Sequence, residues 1–382
     1  MKKFISSSFI VLLALSLLLS PTFIARAESD IDIISKSGLL MDYSSGEVLF
    51  DKNPTLHLPI ASMVKMMTIL ISLEEYEEGN IALDSLISTT ENASGMGGSQ
   101  VFIDPYVEYT FEDLLKSVIM ASANDASVAL AEYFNGNEKS FTNRMNKRAK
   151  ELGMNDTNYA NCTGLPAPEQ YSCAKDCAIL MREVLKHELY HKYSTIWMDE
   201  LTHPSGRKTE LVNTNKLIRY FEGCDGGKTG STNEAGCCLT ASAKRGDMRL
   251  ISVIIGAENS KTRFNESSLL LNYGFANFEN KFLVDVNTPI SKLPISKGKM
   301  ENCDVYASEN FVAIMKKGNN TTYETNVNLP TTLKAPLKNG QKVGSVKVTK
   351  DGNIVKEIDL IVKTDVKHSS YFDSAKKVIE NW

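Results

Sequence analysis

The sequence predicts an α+β fold, in which helices and an antiparallel sheet form one domain and a small all-β domain follows. Residues 110–136 show helical periodicity on both sides of a polar interruption. From Gly226, apolar and alternating runs follow one another with turn residues between them, a pattern typical of consecutive antiparallel strands. Residues 281–366 consist of short β-type runs separated by Gly, Pro and Asn turns. At 382 residues the chain is long enough for two such domains.

The N-terminus predicts export. "MKK" is followed by the apolar run "FIVLLALSLLL" and the small-x-small site "ARA", so residues 1–27 are expected to be a signal peptide and the mature chain to start near Glu28. Arg26 within that site leaves an uncleaved membrane anchor as the alternative. No other segment approaches the ~20 apolar residues of a membrane span. We therefore expect an exported protein, peripheral or secreted, at the outer face of the cytoplasmic membrane or in the cell wall.

The overall charge argues against nucleic acid as a partner. The net charge of −4 leaves no basic surplus to neutralise phosphates. Apolar residues at 42% and charged residues at 23% are ordinary for a globular protein.

The mature chain is predicted to begin with a hairpin and a buried helix. Residues 38–53 indicate two strands joined by a Ser-Ser-Gly turn. The segment from Pro59 to Gly79 is apolar nearly all round, and a helix without a polar face is a buried one. Lys65 therefore has no solvated side of the helix to reach.

The later elements follow from capping and periodicity. Thr110 and Asp113 form a capping box at the start of the next helix, which is interrupted at Ser122–Asp125 and ends at Gly136. Further helices are expected at 138–152, 173–190 and 267–278, with strands between the last two from Gly226 onward.

Two features concern the rest of the chain. The seven cysteines are odd in number and scattered, so most are expected to be small buried hydrophobes and not disulfide partners.

Residues 367–382 carry a helical apolar stripe beside Lys376 and Lys377, which predicts an amphipathic C-terminal helix. Such a helix either lies on a membrane surface or docks on its own domain. The predicted order is thus signal peptide, catalytic domain (28–280), β-rich domain (281–366) and terminal helix.

Three short motifs carry residues suited to nucleophilic catalysis. Ser62 and Lys65 are three residues apart, so they share one face at the start of a buried helix. A serine needs a base to attack a carbonyl, and both burial and the positive end of a helix dipole lower the pKa of a lysine toward that role. The backbone N–H groups of the helix start suit a developing oxyanion. By itself, Ser-x-x-Lys also occurs by accident on solvated helices.

The other two motifs are equally common alone. Ser122 and Asn124 interrupt an apolar helical passage, where polar residues often serve only as caps. Lys228, Thr229 and Gly230 lie on a predicted strand beside two glycines, where a ligand backbone can approach and an anion can bind.

Together, in this order and these contexts, the motifs resemble those of the low-molecular-mass penicillin-binding proteins, the serine D-alanyl-D-alanine carboxypeptidases. "PIASMVKMMT", "MASANDASVALAEYFNG", "DGGKTGSTNEAG" and "RLISVIIGAENSKTRFNES" are similar to family segments, and the resemblance covers most of 36–280. It implies a penicillin-binding protein or serine β-lactamase-like catalytic domain, with an antiparallel sheet flanked by helices and an all-helical subdomain. It also implies no cofactor and no metal.

The resemblance implies a substrate and residue roles. The substrate would be a peptidoglycan stem peptide ending in D-Ala-D-Ala, and β-lactam antibiotics would acylate the same serine. Ser62 would attack the penultimate carbonyl, Lys65 would take its proton, Ser122 would pass a proton to the leaving amine, and Asn124 would orient Lys65 and the substrate amide. Lys228 would keep the site electropositive. Thr229 and Arg263 would bind the free carboxylate, and the N–H groups of Ser62 and Ser231, the latter directly after Gly230, would form the oxyanion hole.

The chain departs from some relatives at two places. Ser231 stands where some have histidine, and Thr214 stands where some have a second arginine. Carboxylate affinity and rate are the properties that these departures affect.

A zinc peptidase is the first alternative. "HELYH" places His187 and His191 four residues apart with a glutamate between them, and Glu210 offers a third ligand. Extending the apolar stripe of the preceding helix puts Glu188 on the buried side, which argues against a zinc role for this segment. Retention of activity in EDTA separates the serine enzyme from the metal enzyme.

A class A β-lactamase and a non-enzymatic wall-binding protein are the other two alternatives. A class A β-lactamase needs a glutamate that activates the deacylating water, and the corresponding stretch "NCTGLPAPEQYS" offers only Glu169. A non-enzymatic wall-binding protein would show no covalent labelling by penicillin.

Overall fold

The computed structural model describes residues 31–318 and 322–370. The expected signal peptide and residues 371–382 of the expected terminal helix lie outside this part of the chain. From Ile33 onward the chain belongs to one compact unit, and the preceding unit, Met1–Asp32, contributes only its last two residues to the description. No helix within the described ranges is long and apolar enough to cross a membrane.

A hairpin comes first, most helices follow, and three long strands, one helix and then strands alone complete the described chain, in the order that the sequence predicts. The helices are α1 Lys65–Glu77, α2 Glu91–Ser94, α3 Phe111–Met120, α4 Asn124–Asn135, α5 Glu138–Glu151, α6 Ala174–Val184, α7 Glu188–Ser194, α8 Leu217–Tyr220 and α9 Ser260–Asn277. The strands up to α9 are β1 Ser37–Asp42, β2 Val48–Lys52, β3 Leu86–Ser88, β4 Glu108–Thr110, β5 Met198–Thr202, β6 Lys208–Val212, β7 Cys224–Thr232, β8 Gly236–Arg245 and β9 Met248–Ala257.

A five-stranded sheet with the order β2-β1-β9-β8-β7 forms the centre of the first domain, and all its pairings are antiparallel. The predicted hairpin at 38–53 thus completes the sheet made by the three late strands. Two helices pack on this sheet: both α9 and α6 contact β1, β8 and β9. At the edge of the sheet, β7 pairs only with β8 among the described strands.

The all-helical part holds the buried helix α1. The first nine residues of α1, Lys65 to Leu73, are all buried, as the apolar composition of the helix predicts. Thr110 caps α3 by accepting a hydrogen bond from the Asp113 backbone N–H, at 3.1 Å. The predicted interruption lies between Met120 and Asn124, and α4 ends before Gly136, whose φ of +75° suits glycine.

Two predicted helix boundaries are wrong. The helix expected at 173–190 is two helices, because α6 ends at Val184 and α7 begins at Glu188. This break resets the helical phase, so Glu188 is exposed and not buried as the extended stripe predicted. The helix expected from residue 267 begins at Ser260, where Asn259 caps it by accepting from the Thr262 N–H at 2.9 Å. The first turns of this helix are polar and show no apolar periodicity, so the sequence pattern did not indicate its start.

The C-terminal part of the described chain is all β. Its strands are β10 Phe278–Val284, β11 Ser291–Ser296, β12 Asn302–Ala307, β13 Phe311–Lys316, β14 Tyr323–Asn328, β15 Leu333–Lys334, β16 Lys342–Lys350 and β17 Asn353–Val362. Six of them form a sheet with the order β14-β16-β17-β12-β11-β15, and β10 pairs with β13. A separate apolar cluster, including Val305, Val348 and Leu360, forms its core.

All seven cysteines are free thiols, and five of them are buried. Cys238 is buried while its neighbour Cys237 is partly exposed, as expected for successive residues on a strand. The expectation of small buried hydrophobes is therefore confirmed for most of them.

Candidate active site

Ser62 lies in a single 3-10 turn, Ala61–Val64, that leads directly into α1. The sequence predicted an α-helix at this point. In a 3-10 turn, residues three apart lie one above the other, so Ser62 and Lys65 still share a face. The Lys65 Nζ donates to the Ser62 Oγ at 3.0 Å. The first motif therefore forms the nucleophile–base contact that its spacing predicts.

Lys65 is completely buried, with 0% of its surface exposed. Burial lowers the pKa of its ammonium group to about 7, although Cys162 and Asp125 oppose this shift. Its Nζ also donates to the Thr163 carbonyl, at 2.5 Å, which fixes the direction of the side chain. A substantial fraction of Lys65 is thus a neutral amine near neutral pH, as a general base must be.

Ser122 and Asn124 lie at the break between α3 and α4. Ser122 has φ of +62°, a strained conformation for a non-glycine residue. Asn124 donates through Nδ2 to the Gly97 carbonyl at 2.6 Å, while its Oδ1 is buried and has no hydrogen-bond partner in the described structure. An amide oxygen left in this way is available to a donor on a ligand.

The third motif lies on β7, the edge strand. The Lys228 Nζ donates to the Ser122 Oγ at 2.7 Å, which brings the second and third motifs together. A side chain at Gly230 is excluded, because a Cβ there would lie 2.4 Å from the Ile60 carbonyl oxygen and 3.1 Å from the Ser62 nitrogen. Glycine therefore lets β7 pass directly beside the nucleophile.

Lys228 is as buried as Lys65. Its pKa lies well below the ordinary lysine value, mainly because of burial and then because of the nearby charges of Lys65 and Arg263. An anionic ligand would offset those charges and favour the ammonium form of Lys228. The site is thus arranged to receive a negative group.

Arg263 reaches this region from the first turns of α9. Its guanidinium donates to the carbonyls of Gly230, at 3.0 Å, and Cys238, at 3.3 Å. Its Nε is buried without a hydrogen-bond partner in the described structure, and burial lowers its pKa. Arg263 therefore lies next to Thr229 and Gly230, where the sequence placed it.

Ser231 and Thr214 mark the two departures from relatives. Ser231 follows Gly230 on β7 and is exposed, opposite Cys237 on β8. The Thr214 backbone N–H donates to the Met120 carbonyl at 3.0 Å, so the segment of Thr214 borders the break that holds Ser122.

Three further residues position the site, and no sequence motif pointed to them. Thr163 supplies the carbonyl that holds Lys65. Gly164, with φ of +82°, lies so close to the nucleophile that a Cβ would be 2.1 Å from the Ala61 carbonyl oxygen. Asp125 is buried and accepts from the N–H groups of Val101 and Ile103, which fixes the loop beside Asn124. Thr163 and Gly164 lie in a loop, where no periodic pattern marks a residue. Asp125 could have been identified, because a charged residue within an apolar helix is unusual.

The "HELYH" residues do not converge. His191 Nε2 lies 3.0 Å from the Leu185 carbonyl, and His187 Nδ1 lies 2.8 Å from Glu77 Oε1. Across the described residues, no group of three potential ligands within 4.8 Å of one another includes His187, His191 or Glu210. Glu169, the candidate for a β-lactamase base, is exposed and has φ of +59°.

Comparison with known proteins finds relatives along nearly the whole chain. The family described as D-alanyl-D-alanine carboxypeptidase matches residues 24–259, and the C-terminal domain of penicillin-binding protein 5 matches residues 278–368. The chain is 36% identical over 387 residues to the D-alanyl-D-alanine carboxypeptidase DacF of Bacillus subtilis, covering 100% of this chain and 99% of the relative. It is 34% identical to DacC of Escherichia coli, covering 93% and 90%. Penicillin-binding protein 5 from Haemophilus influenzae superposes with a TM-score of 0.74 and 32% identity, over 89% of this chain and 100% of that one.

Proposed function

Since the chain belongs to the D-alanyl-D-alanine carboxypeptidase family of serine peptidases, we propose that Ser62 is the nucleophile with which it removes the terminal D-alanine from peptidoglycan stem peptides. One observation carries the assignment. Lys65 is completely buried, its pKa is about 7, and its Nζ lies 3.0 Å from the Ser62 Oγ. A neutral amine at that distance is a competent base for a serine hydroxyl.

In the first step the Ser62 Oγ bonds to the carbonyl carbon of the penultimate D-alanine, and its proton passes to Lys65. The backbone N–H groups of Ser62 and Ser231 stabilise the oxyanion that forms. The close passage of β7 at Gly230 supports this assignment, because it brings the Ser231 segment to the nucleophile.

The peptide bond then breaks, and the leaving D-alanine amine needs a proton. Ser122 relays this proton. Its hydroxyl, which accepts a hydrogen bond from Lys228, gives its proton to the amine and takes up the one that Lys65 accepted from Ser62, so Lys65 becomes a neutral amine again. The unpartnered Oδ1 of Asn124 accepts from the substrate amide and Nδ2 holds the surrounding loop. Water then attacks the acyl carbon and gives a proton to Lys65. The bond to the Ser62 Oγ breaks, Lys65 returns that proton to the Oγ, and the shortened stem leaves with a new carboxyl group.

Thr229 and Arg263 bind the free carboxylate of the substrate. The guanidinium lies at the Gly230 carbonyl, one residue from Thr229, and its buried Nε has a donor to offer. The positive charges that depress the pKa of Lys228 favour the same anion.

The function is tested with diacetyl-Lys-D-Ala-D-Ala, in the presence and absence of penicillin, by measuring free D-alanine. The wild-type protein should release D-alanine, penicillin should block the release, and Lys65→Ala should abolish it. Lys147→Ala is the matched control, because the Lys147 side chain is 80% exposed. Release by Lys65→Ala at the wild-type rate would contradict the proposal.

β-Lactams are the second ligand class that we propose, with a stable acyl-enzyme on Ser62. The exposed position of Glu169 supports slow release of the adduct, because that glutamate is not held at a dry site where it would activate water. Rapid turnover of penicillin by the purified protein would assign it to the β-lactamases.

We propose that the protein acts outside the cytoplasmic membrane, peripheral or secreted, and that residues 367–382 lie on the membrane surface. The charged start and apolar run of residues 1–27 support export, and the apolar stripe beside Lys376 and Lys377 supports surface binding. Ending the chain after residue 366 should move the protein from the membrane fraction to the soluble fraction. An unchanged distribution would favour docking of this segment on its own domain.

A further inference from the structure

A cavity of about 380 Å³ opens beside the nucleophile. It lies between the residues that precede Ser62, the loop that follows Gly164, and the end of β7. Pro59, Ala61, Pro166 and Pro168 form an apolar wall, and Thr232 and Glu234 line the side next to β7. Its volume falls in the range of small-molecule sites, about 300–1,000 Å³. None of these residues has a part in the reaction steps above.

The proposed reaction determines which part of the substrate reaches this cavity. The terminal carboxylate lies at Thr229 and Arg263, and the reacting carbonyl lies between Ser62 and Ser231. Followed from its C-terminus back toward its N-terminus, the substrate therefore runs in the same direction as β7. The two chains are antiparallel. An extended peptide antiparallel to an edge strand advances about 3.3 Å per residue. The residue before D-Ala-D-Ala is thus brought to the Thr232–Glu234 end of β7.

The chemistry of the cavity indicates what side chain it receives. Of the described residues that line it, Glu234 alone is charged. The proline-rich wall suits a chain of methylene groups, and the carboxylate suits a positive group at the end of that chain. Glu234 is exposed, so the resulting ion pair is weakened by solvent and by salt.

We propose that this cavity is a specificity subsite for the side-chain amine of the residue that precedes D-Ala-D-Ala. This rests on the proposed carboxypeptidase function and adds a preference to it. A stem peptide with a free amine at that residue is the better substrate. A stem whose amine is acylated, as in a cross-link, loses the ion pair with Glu234.

Two peptides that differ only at that amine test the proposal: Nα-acetyl-Lys-D-Ala-D-Ala and its Nα,Nε-diacetyl counterpart. At low salt we expect kcat/KM to be about three- to fivefold higher for the free-amine peptide, the effect of one exposed ion pair. In 1 M NaCl the preference should shrink. Glu234→Gln should reduce the ratio of the two kcat/KM values to about one.

Glu222→Gln is the matched control. Glu222 is exposed and lies just before the other end of β7, so its loss removes the same charge far from the cavity. This variant should keep the wild-type ratio, and labelling by fluorescent penicillin verifies that each variant has a folded site. Equal cleavage of both peptides by the wild-type enzyme, or an unchanged ratio in Glu234→Gln, would overturn the subsite. If the wild-type enzyme cleaved neither peptide, the proposed function would be overturned, and the subsite with it.

Discussion

The Lys228 Nζ lies 2.7 Å from the Ser122 Oγ, and this contact joins the edge strand of the sheet to the break between α3 and α4. Ser122 is 3% exposed and Lys228 is 1% exposed, so water does not compete strongly for either group. The strained backbone of Ser122, with φ of +62°, turns its hydroxyl toward the sheet side of the site. The pair therefore holds the hydroxyl of Ser122, the proposed proton donor, beside β7, along which the substrate would lie.

Replacing Ser122 by alanine removes the proposed proton donor to the leaving amine. We expect kcat for D-alanine release to fall about 10²- to 10³-fold, since positioned proton transfer contributes about 10²–10⁴-fold. The control is Ser127→Ala. It removes a buried hydroxyl on α4, the helix that follows Ser122, and that hydroxyl donates to the Ala123 carbonyl at 2.9 Å. Equal losses in the two variants would assign Ser122 a merely structural role.

The pH dependence of acylation should report Lys65. Because burial lowers its pKa to about 7, the neutral, reactive form gains population as pH rises to that value. The logarithm of the acylation rate constant should therefore rise with unit slope below about pH 7 and level off above it. Stopped-flow measurement with a chromogenic β-lactam from pH 5 to 9 checks this. A rate that is already constant at pH 5, or that rises only above pH 9, would exclude Lys65 as the base.

The same pKa shift makes Lys65 costly for stability. The unfolded chain binds a proton at Lys65 up to a pH near 10.5, whereas the folded protein releases it near 7. The unfolded state therefore binds more protons between these values, and the free energy of unfolding rises with pH in that window. Lys65→Met lacks this dependence. Urea unfolding should show the stability of Lys65→Met relative to wild type decreasing by about 2 kcal/mol between pH 7 and 9. A difference that is constant across this range would contradict a depressed pKa.

Gly230→Ala should disturb the nucleophile without unfolding the protein. Its Cβ would lie 2.4 Å from the Ile60 carbonyl oxygen, which forces β7 and the Ser62 turn apart. We expect acylation by penicillin to fall at least about 10²-fold, because small displacements of reacting groups have effects of that size. Gly97→Ala is the control, since a Cβ there meets no atom within 4 Å and the backbone carbonyl that accepts from Asn124 is unchanged. Wild-type acylation by Gly230→Ala would show that the close passage of β7 is not needed.

The sequence predicted well those features that depend on residues close together in the chain. The apolar surroundings of Lys65 predicted its burial, polar residues at 122–125 predicted the helix break, and alternating runs predicted the late strands. The three motifs that carry the proposed catalytic residues meet in the structure, as their order and context predicted.

The features that sequence did not predict depend on contacts between distant segments. Thr163 and Gly164 act on Lys65 and Ala61 from about a hundred residues away in the chain. Their loop has no periodicity, so nothing local indicates that its backbone lies against the nucleophile. Glu188 was placed on the wrong side, because a helical phase extends only as far as the helix and α6 ends at Val184. The first turns of α9 are polar, so apolar periodicity did not indicate that the helix begins at Ser260, directly after its cap Asn259.

The most direct test of the account is the position of the covalent bond that penicillin forms. After incubation with benzylpenicillin, proteolysis and mass spectrometry should locate a single adduct on the peptide that contains Ser62. Ser62→Ala should carry none. An adduct on any other residue, or an undiminished adduct in Ser62→Ala, would contradict the assignment of Ser62 as the nucleophile activated by Lys65.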